Sequence, residues 1–171
     1  MIRSATRVRS YHESLITALA VGGVFIILGL VIALTPDILQ KINAFFGDLT
    51  TVAYPLGGSS TLNLPAPANP AEHIGFYTAI MNFILGVGIV QIVILGLRLW
   101  VRSPIRRIAE TVGNLVFWLG AAVVAYVFLL AGMLNGWFQF WATLIILIGA
   151  SLIARFFVYF AQKSSARMKE P

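Results

Sequence analysis

Apolar residues in this chain occur in four long runs that are separated by shorter polar segments. A transmembrane helix needs about 20 predominantly apolar residues to cross a hydrocarbon core of roughly 30 Å. Four proline-free runs meet this requirement, namely residues 15–34, 74–97, 112–134 and 137–160. The pattern predicts an all-α, polytopic membrane protein in which four transmembrane helices form a bundle.

The first run follows a basic segment, residues 1–14, as the apolar part of a signal peptide also does. Its length of about 20 residues exceeds the usual 7–15 of such a segment. It ends in LTPD and offers no small-x-small cleavage site. We therefore expect a retained span rather than a cleaved leader.

Basic residues set the expected orientation of the spans. All but Lys41 of the 12 lysines and arginines lie at one side: in segment 1–14, in loop 98–111, at Arg155 and in segment 161–171. The positive-inside rule makes that side cytoplasmic and places both termini there. With no transit signature and no glycosylation site, the sequence favours a prokaryotic plasma membrane.

The loop sequence RLWVRSPIRRIAE is the most basic stretch of the chain. Its arginines, Arg98, Arg102, Arg106 and Arg107, are explained by their topological role and by contact with anionic lipid, worth about 1 kcal/mol for each basic residue. The loop is too short to be a domain and has no glycine-rich phosphate cradle. We expect no nucleic-acid partner.

The outer loop, residues 35–73, divides into two parts. Thr35 as N-cap and Pro36 at the first helical position predict a helix over 35–49. This helix is amphipathic and is expected to lie in the outer interface, either resting on lipid or offering a docking surface for another subunit. The apolar residues that would form that surface are Ile38, Ile42, Phe45, Phe46 and Leu49.

The second part of the outer loop, residues 50–73, is rich in proline and contains the pair Gly57-Gly58. This composition predicts an irregular or polyproline-like loop. The turn between the third and fourth spans is expected at Asn135-Gly136, which makes these two spans antiparallel neighbours.

Small residues inside the spans are candidates for helix packing, because they let helix backbones approach closely. An amide among them can hydrogen-bond across the contact, so Asn82 belongs to the same group, with a pore-lining or substrate-binding role as the alternative. The candidates are Ala18, Gly22, Gly29, Ala79, Asn82, Gly86, Gly132 and Gly136.

A polar cluster is predicted at the cytoplasmic entry of the third span. Arg107, Glu110 and Asn114 recur at i, i+3 and i+7, and Arg155 lies near the same end of the fourth span. We expect Arg155 to reach Glu110 or Asn114. The alternative is that Arg155 extends unaided to lipid headgroups.

The chain is poor in the residues that catalysis and cofactor binding require. It has no cysteine, its two histidines lie at opposite sides of the membrane, and the span interiors contain no Asp or Glu. A proton or cation pathway usually carries a buried carboxylate. We therefore expect no enzyme activity, no cofactor and no metal site.

These observations favour a structural or accessory subunit that packs in the bilayer against other membrane proteins or against copies of itself. One alternative is a small oligomeric pore or facilitator, for which Asn82, Asn114 and Gln139 would supply a thin polar lining. A lipid-interacting, membrane-organising protein is the second alternative.

Overall fold

A computed structural model of the chain describes residues 2–57 and 60–167, with side chains over 13–55 and 61–161. The helices are α1 (Ile2–Leu34), α2 (Ile38–Gly47), α3 (Ile74–Trp100), α4 (Ile105–Val124) and α5 (Leu134–Arg167). Two strands, β1 (Leu49–Gly57) and β2 (Ser60–Pro67), lie between α2 and α3. A short 3₁₀ turn, Pro70–His73, precedes α3, and a π-helical turn, Ala125–Leu129, extends α4.

The prediction that the chain contains four helices able to span a membrane is confirmed by their length and apolarity. Four helical segments are long and apolar enough to cross a bilayer: Glu13–Leu34, Pro70–Trp100, Ile105–Leu129 and Leu134–Ala161. The described chain is mostly helical, and its backbone groups can therefore bond within each span, as hydrocarbon requires. These features indicate an integral membrane protein.

The spans pack in the order α1, α3, α4, α5, so that α3 and α4 are central and α1 and α5 are the outer helices. Each of these three helix–helix contacts includes a glycine. A Cβ added at Gly86, Gly88 or Gly120 would lie 2.5–2.6 Å from a leucine or isoleucine side chain of the neighbouring helix. The missing side chains let these helices approach closely, and the helix contacts thus depend on glycine.

The turn between the third and fourth spans differs from the expectation. It lies at 130–133, and Asn135-Gly136 belongs to the first turn of α5. The reason is Gly132, whose φ of +63° puts it in the left-handed region that glycine adopts without strain. The chain therefore reverses at Gly132 before the position that the sequence pattern indicated.

The prediction of an irregular loop over 50–73 was wrong, because most of this segment forms a β-hairpin. β1 and β2 pair antiparallel, with Val52 opposite Leu64 and Tyr54 opposite Leu62. Alternate residues put these four side chains on one face. The prolines are tolerated because each strand of a two-stranded hairpin has a free edge.

The start of α2 also differs from the expectation. Thr35 does not cap α2, because its amide still donates to Val31 O and continues α1. Asp37 takes the N-cap position instead, with a φ of 54° and no side-chain cap bond. α1 therefore runs up to the proposed cap, and α2 begins only at Ile38.

We expect Gly136→Ala to lower the free energy of unfolding by about 1–3 kcal/mol, because the added Cβ would overlap the backbone oxygen of Phe128. Gly149→Ala in the same helix is the matched control, since a Cβ there meets nothing within 4 Å. Thermal unfolding in detergent measures both. Equal melting temperatures for the two variants would contradict the close contact at Gly136.

Candidate partner-facing and lipid-facing sites

The span ends near Arg98, Arg107 and Arg155 are called the basic end, and the opposite ends the hairpin end. Arg98 differs from its predicted role as a lipid contact, because it is only 8% exposed. Its Nη1 donates to Arg107 O at 2.5 Å and to Thr111 Oγ1 at 2.6 Å. Arg98 therefore ties the end of α3 to the start of α4.

Thr111 is a buried hydrogen-bond partner of Arg98 that the sequence did not predict. Its hydroxyl accepts from Arg98 and donates to Arg107 O at 2.8 Å. No sequence pattern indicates a buried arginine partner at this position, since Arg98 and Thr111 are brought together only by the packing of α3 on α4. The other three arginines of this loop, Arg102, Arg106 and Arg107, are exposed.

The polar cluster predicted at the entry of α4 is divided between two sets of partners. Arg155 Nη2 donates to Asn114 Oδ1 at 2.7 Å, which is one of the two partners that the sequence left open. Glu110 instead accepts from Arg106 and Arg107 at 3.3 and 3.5 Å. The Arg155 side chain passes directly over Gly113. The Arg155–Asn114 contact therefore joins α5 to α4 at the basic end.

The small residues of α1 lie on a face that no other part of the described chain contacts. Gly23 and Ile27 of α1 pack on α3, against Val90 and Gly86. Ala18, Gly22 and Gly29 lie roughly opposite, at 100° per residue. A Cβ at Gly22 or Gly29 would meet nothing within 4 Å.

The remaining packing candidates have different surroundings. Ala79 is buried, and Gly86 contacts α1. Gly132 forms the turn described above, and Gly136 packs on the backbone of the π-helical turn. Asn82 is exposed on α3, and its amide has no hydrogen-bond partner among the described residues.

The three amides of a pore lining are not brought together in one chain. Asn114 is engaged by Arg155, whereas Asn82 and Gln139 are exposed on α3 and α5. Within the described residues they share no hydrogen-bond network.

Helix α2 does not present all its apolar residues outward. Phe45 is only 6% exposed and packs edge-on or tilted against rings of α3 and α5, with centroid distances of 4.7–6.0 Å to Phe76, Tyr77 and Trp137. Phe46 is exposed, and Ile38 and Ile42 are half-buried. Leu49 is exposed but begins β1, because α2 ends at Gly47, before the predicted helix end. The predicted docking surface therefore lacks Phe45, which holds α2 onto the spans.

A polar cluster fixes the base of the hairpin. Asp48 Oδ2 accepts a hydrogen bond from the backbone N–H of Asn69 at 2.8 Å and lies 2.9 Å from Nε2 of the buried His73. The hydrogen bond from the Asn69 backbone N–H has the largest effect, and the hydrogen bond with His73 the next largest; both lower the pKa of Asp48 below its ordinary value. These bonds join the two ends of the loop that contains the hairpin.

An apolar groove of about 670 Å³ lies between the hairpin, α2 and the first turns of α5. Trp137 lines the groove, and its Nε1 donates to Pro65 O at 3.1 Å. Tyr54 and Phe138 line it as well, and their rings pack with centroids 4.5 Å apart. The groove lining is aromatic and aliphatic, and comprises Phe45, Phe46, Leu49, Tyr54, Leu62, Leu64, Pro65, Trp137, Phe138, Trp141, Ala142 and Ile145.

The chain matches no protein-family model, no curated protein and no solved structure. Within the part of the chain that the structure describes, no three His, Asp or Glu side chains are grouped as metal ligands would be.

We expect the hairpin base to loosen in acid. A carboxyl whose pKa is lowered on folding stabilises the folded state above its ordinary pKa of 3.8, and that stabilisation is lost as pH falls through the lower folded-state value. The protection of the Asn69 backbone amide against hydrogen exchange, relative to its intrinsic rate at each pH, is expected to fall over this range. In Asp48→Ala this protection is expected to be low at every pH; protection as in wild type would contradict the assignment.

Proposed function

We propose that this protein is a non-enzymatic structural or accessory subunit that packs in the bilayer against another membrane protein. The observation that carries the proposal is the open face of α1, where a Cβ added at Gly22 or Gly29 would meet nothing within 4 Å. In this proposal the membrane is a prokaryotic plasma membrane, and the basic end of the spans faces the cytoplasm.

Glycine on this face supports a protein partner rather than lipid alone. A glycine in a helix interior is about 1 kcal/mol less favourable than alanine, and flexible lipid chains do not require it. A neighbouring helix benefits from it, because glycine lets the two backbones approach within van der Waals contact. α1 is also an outer helix that packs mainly on α3, so its opposite side is accessible to a partner.

We expect the double substitution Gly22→Leu and Gly29→Leu to release the partner while leaving the fold intact. The added side chains enter open space in the isolated chain, but they would occupy the position of an apposed helix. Native mass spectrometry of protein extracted in mild detergent measures this as loss of a stoichiometric different subunit.

Gly149→Leu on α5 is the matched control, since a Cβ there also meets nothing within 4 Å. This variant is expected to keep the partner. The proposal fails if wild type carries no different subunit, or if the double variant retains it at the wild-type ratio.

The groove supports a second candidate function, which is the binding of a membrane lipid. Its volume lies in the range of small-molecule sites, about 300–1,000 Å³. One wall belongs to the span Leu134–Ala161, so the groove is continuous with the surface that lipid covers. Its lining holds no charged residue, which fits a hydrocarbon chain better than a soluble ligand.

We expect Ala142→Trp to reduce the lipid that co-purifies with the protein, because the larger side chain fills part of the groove that Ala142 lines. Ala150→Trp, at an exposed position further along α5, is the control and is expected to leave retained lipid unchanged. Native mass spectrometry after detergent exchange counts bound lipids. Equal retention by both variants and wild type would remove the groove as the lipid site.

A further inference from the structure

One face of α3 carries exposed residues at heptad spacing. Six exposed residues follow one another at alternating spacings of three and four, which is the spacing of the a and d positions of a heptad. We call this set the α3 stripe: Asn82, Leu85, Ile89, Ile92, Gly96 and Leu99.

The stripe is a third face of α3, distinct from the two that the chain itself uses. Gly86 packs against α1, and Gly88 packs against α4. Gly96, within the stripe, has no atom within 4 Å of an added Cβ, and Ile89 and Ile92 are about half exposed. Within the described residues, nothing covers this face.

Asn82 makes lipid a poor cover for the stripe. It lies eight residues into α3, about 12 Å along the helix axis from its start, and therefore within the span Pro70–Trp100. Its amide has no partner in the described chain, and an unsatisfied amide in hydrocarbon is costly. The position calls for a second polar group at the same depth.

We propose that the α3 stripe packs against the α3 stripe of a second copy of this chain. Two copies inserted with the same orientation place their Asn82 side chains at the same depth. A carboxamide has both donor and acceptor, so the two amides can each donate to and accept from the other. A second copy thus supplies the missing partner by symmetry, whereas an unrelated helix would need a polar group at that depth.

The spacing of the stripe fits this parallel pairing. Asn82, Ile89 and Gly96 take the a positions of a heptad, and Leu85, Ile92 and Leu99 take the d positions. A strict seven-residue repeat produces left-handed helix pairing, and an asparagine at one a position fixes its register. Gly96 lets the two helices approach near the basic end.

This pairing goes beyond the proposed function, because it concerns α3 and a second copy of the chain rather than α1 and a different subunit. The double glycine variant probes α1 and the cysteine variants probe α3, so either proposal can fail while the other holds.

Because the chain contains no cysteine, single cysteines can report the contact in the full-length protein in membranes. We expect oxidation of Ile89→Cys and Ile92→Cys to give covalent dimers of twice the chain mass. Ile146→Cys, exposed on α5, is the lipid-facing control, and Val87→Cys, at a buried position, is the control for the opposite face of α3. Both are expected to remain monomeric.

Asn82→Leu, combined with Ile89→Cys, tests the amide itself. It is expected to reduce covalent dimer about threefold or more at a fixed protein-to-lipid ratio. Helical content by circular dichroism is expected to be unchanged, because the amide has no partner within the monomer. Asn82→Gln keeps an amide and is expected to restore part of the dimer.

Three outcomes overturn the inference: no dimer above the Ile146→Cys level, an adduct with a different protein in place of the dimer, or unchanged dimer with Asn82→Leu. Cross-linking at heptad spacing that weakens with Asn82→Leu supports it.

Discussion

The structure depends on the scarcity of hydrogen-bond partners in hydrocarbon. Four helices satisfy their own backbone groups, and several polar side chains near the basic end bond to one another. Arg155 is held by Asn114, and Arg98 is held by Thr111 and a carbonyl of α4. The Tyr77 hydroxyl of α3 is buried without a hydrogen-bond partner among the described residues. The Asn82 amide of the same helix is also unpaired in the described chain, but it is exposed, so a neighbouring molecule can reach it.

Glycine divides the helix surfaces into those that the chain uses and those that it leaves open. At Gly86, Gly88 and Gly120 a side chain of the next helix fills the space where a Cβ would lie. At Gly22 and Gly29 that space is empty. The same residue type therefore marks both internal contacts and surfaces available to partners, and only the packing separates the two classes.

The hairpin end is built around rings rather than charges. Phe45 anchors α2 among aromatic residues of α3 and α5, while Asp48 and His73 join the ends of the hairpin segment. The bond from Trp137 to Pro65 then holds β2 beside α5. This arrangement leaves the apolar groove between the hairpin, α2 and α5 and connects the loop to the span.

The sequence by itself determined the four spans, because the length and apolarity of a membrane helix are local properties that bilayer thickness imposes. It also indicated that Arg155 reaches towards α4. It missed the hairpin, since proline content obscured the alternation of Val52 and Tyr54 with Leu62 and Leu64. It also missed Thr111 as the partner of Arg98.

Only the tertiary structure decided which face of each helix is covered. The composition of Ala18, Gly22 and Gly29 resembles that of the packed positions Ala79 and Gly86, so local sequence cannot separate them. Burial of Phe45 and Arg98 likewise depends on helices distant in sequence. Lipid and protein interiors are similarly apolar, so the hydrophobicity of a residue does not tell which of the two surrounds it. That depends on which helices are neighbours and on how each helix is rotated about its axis.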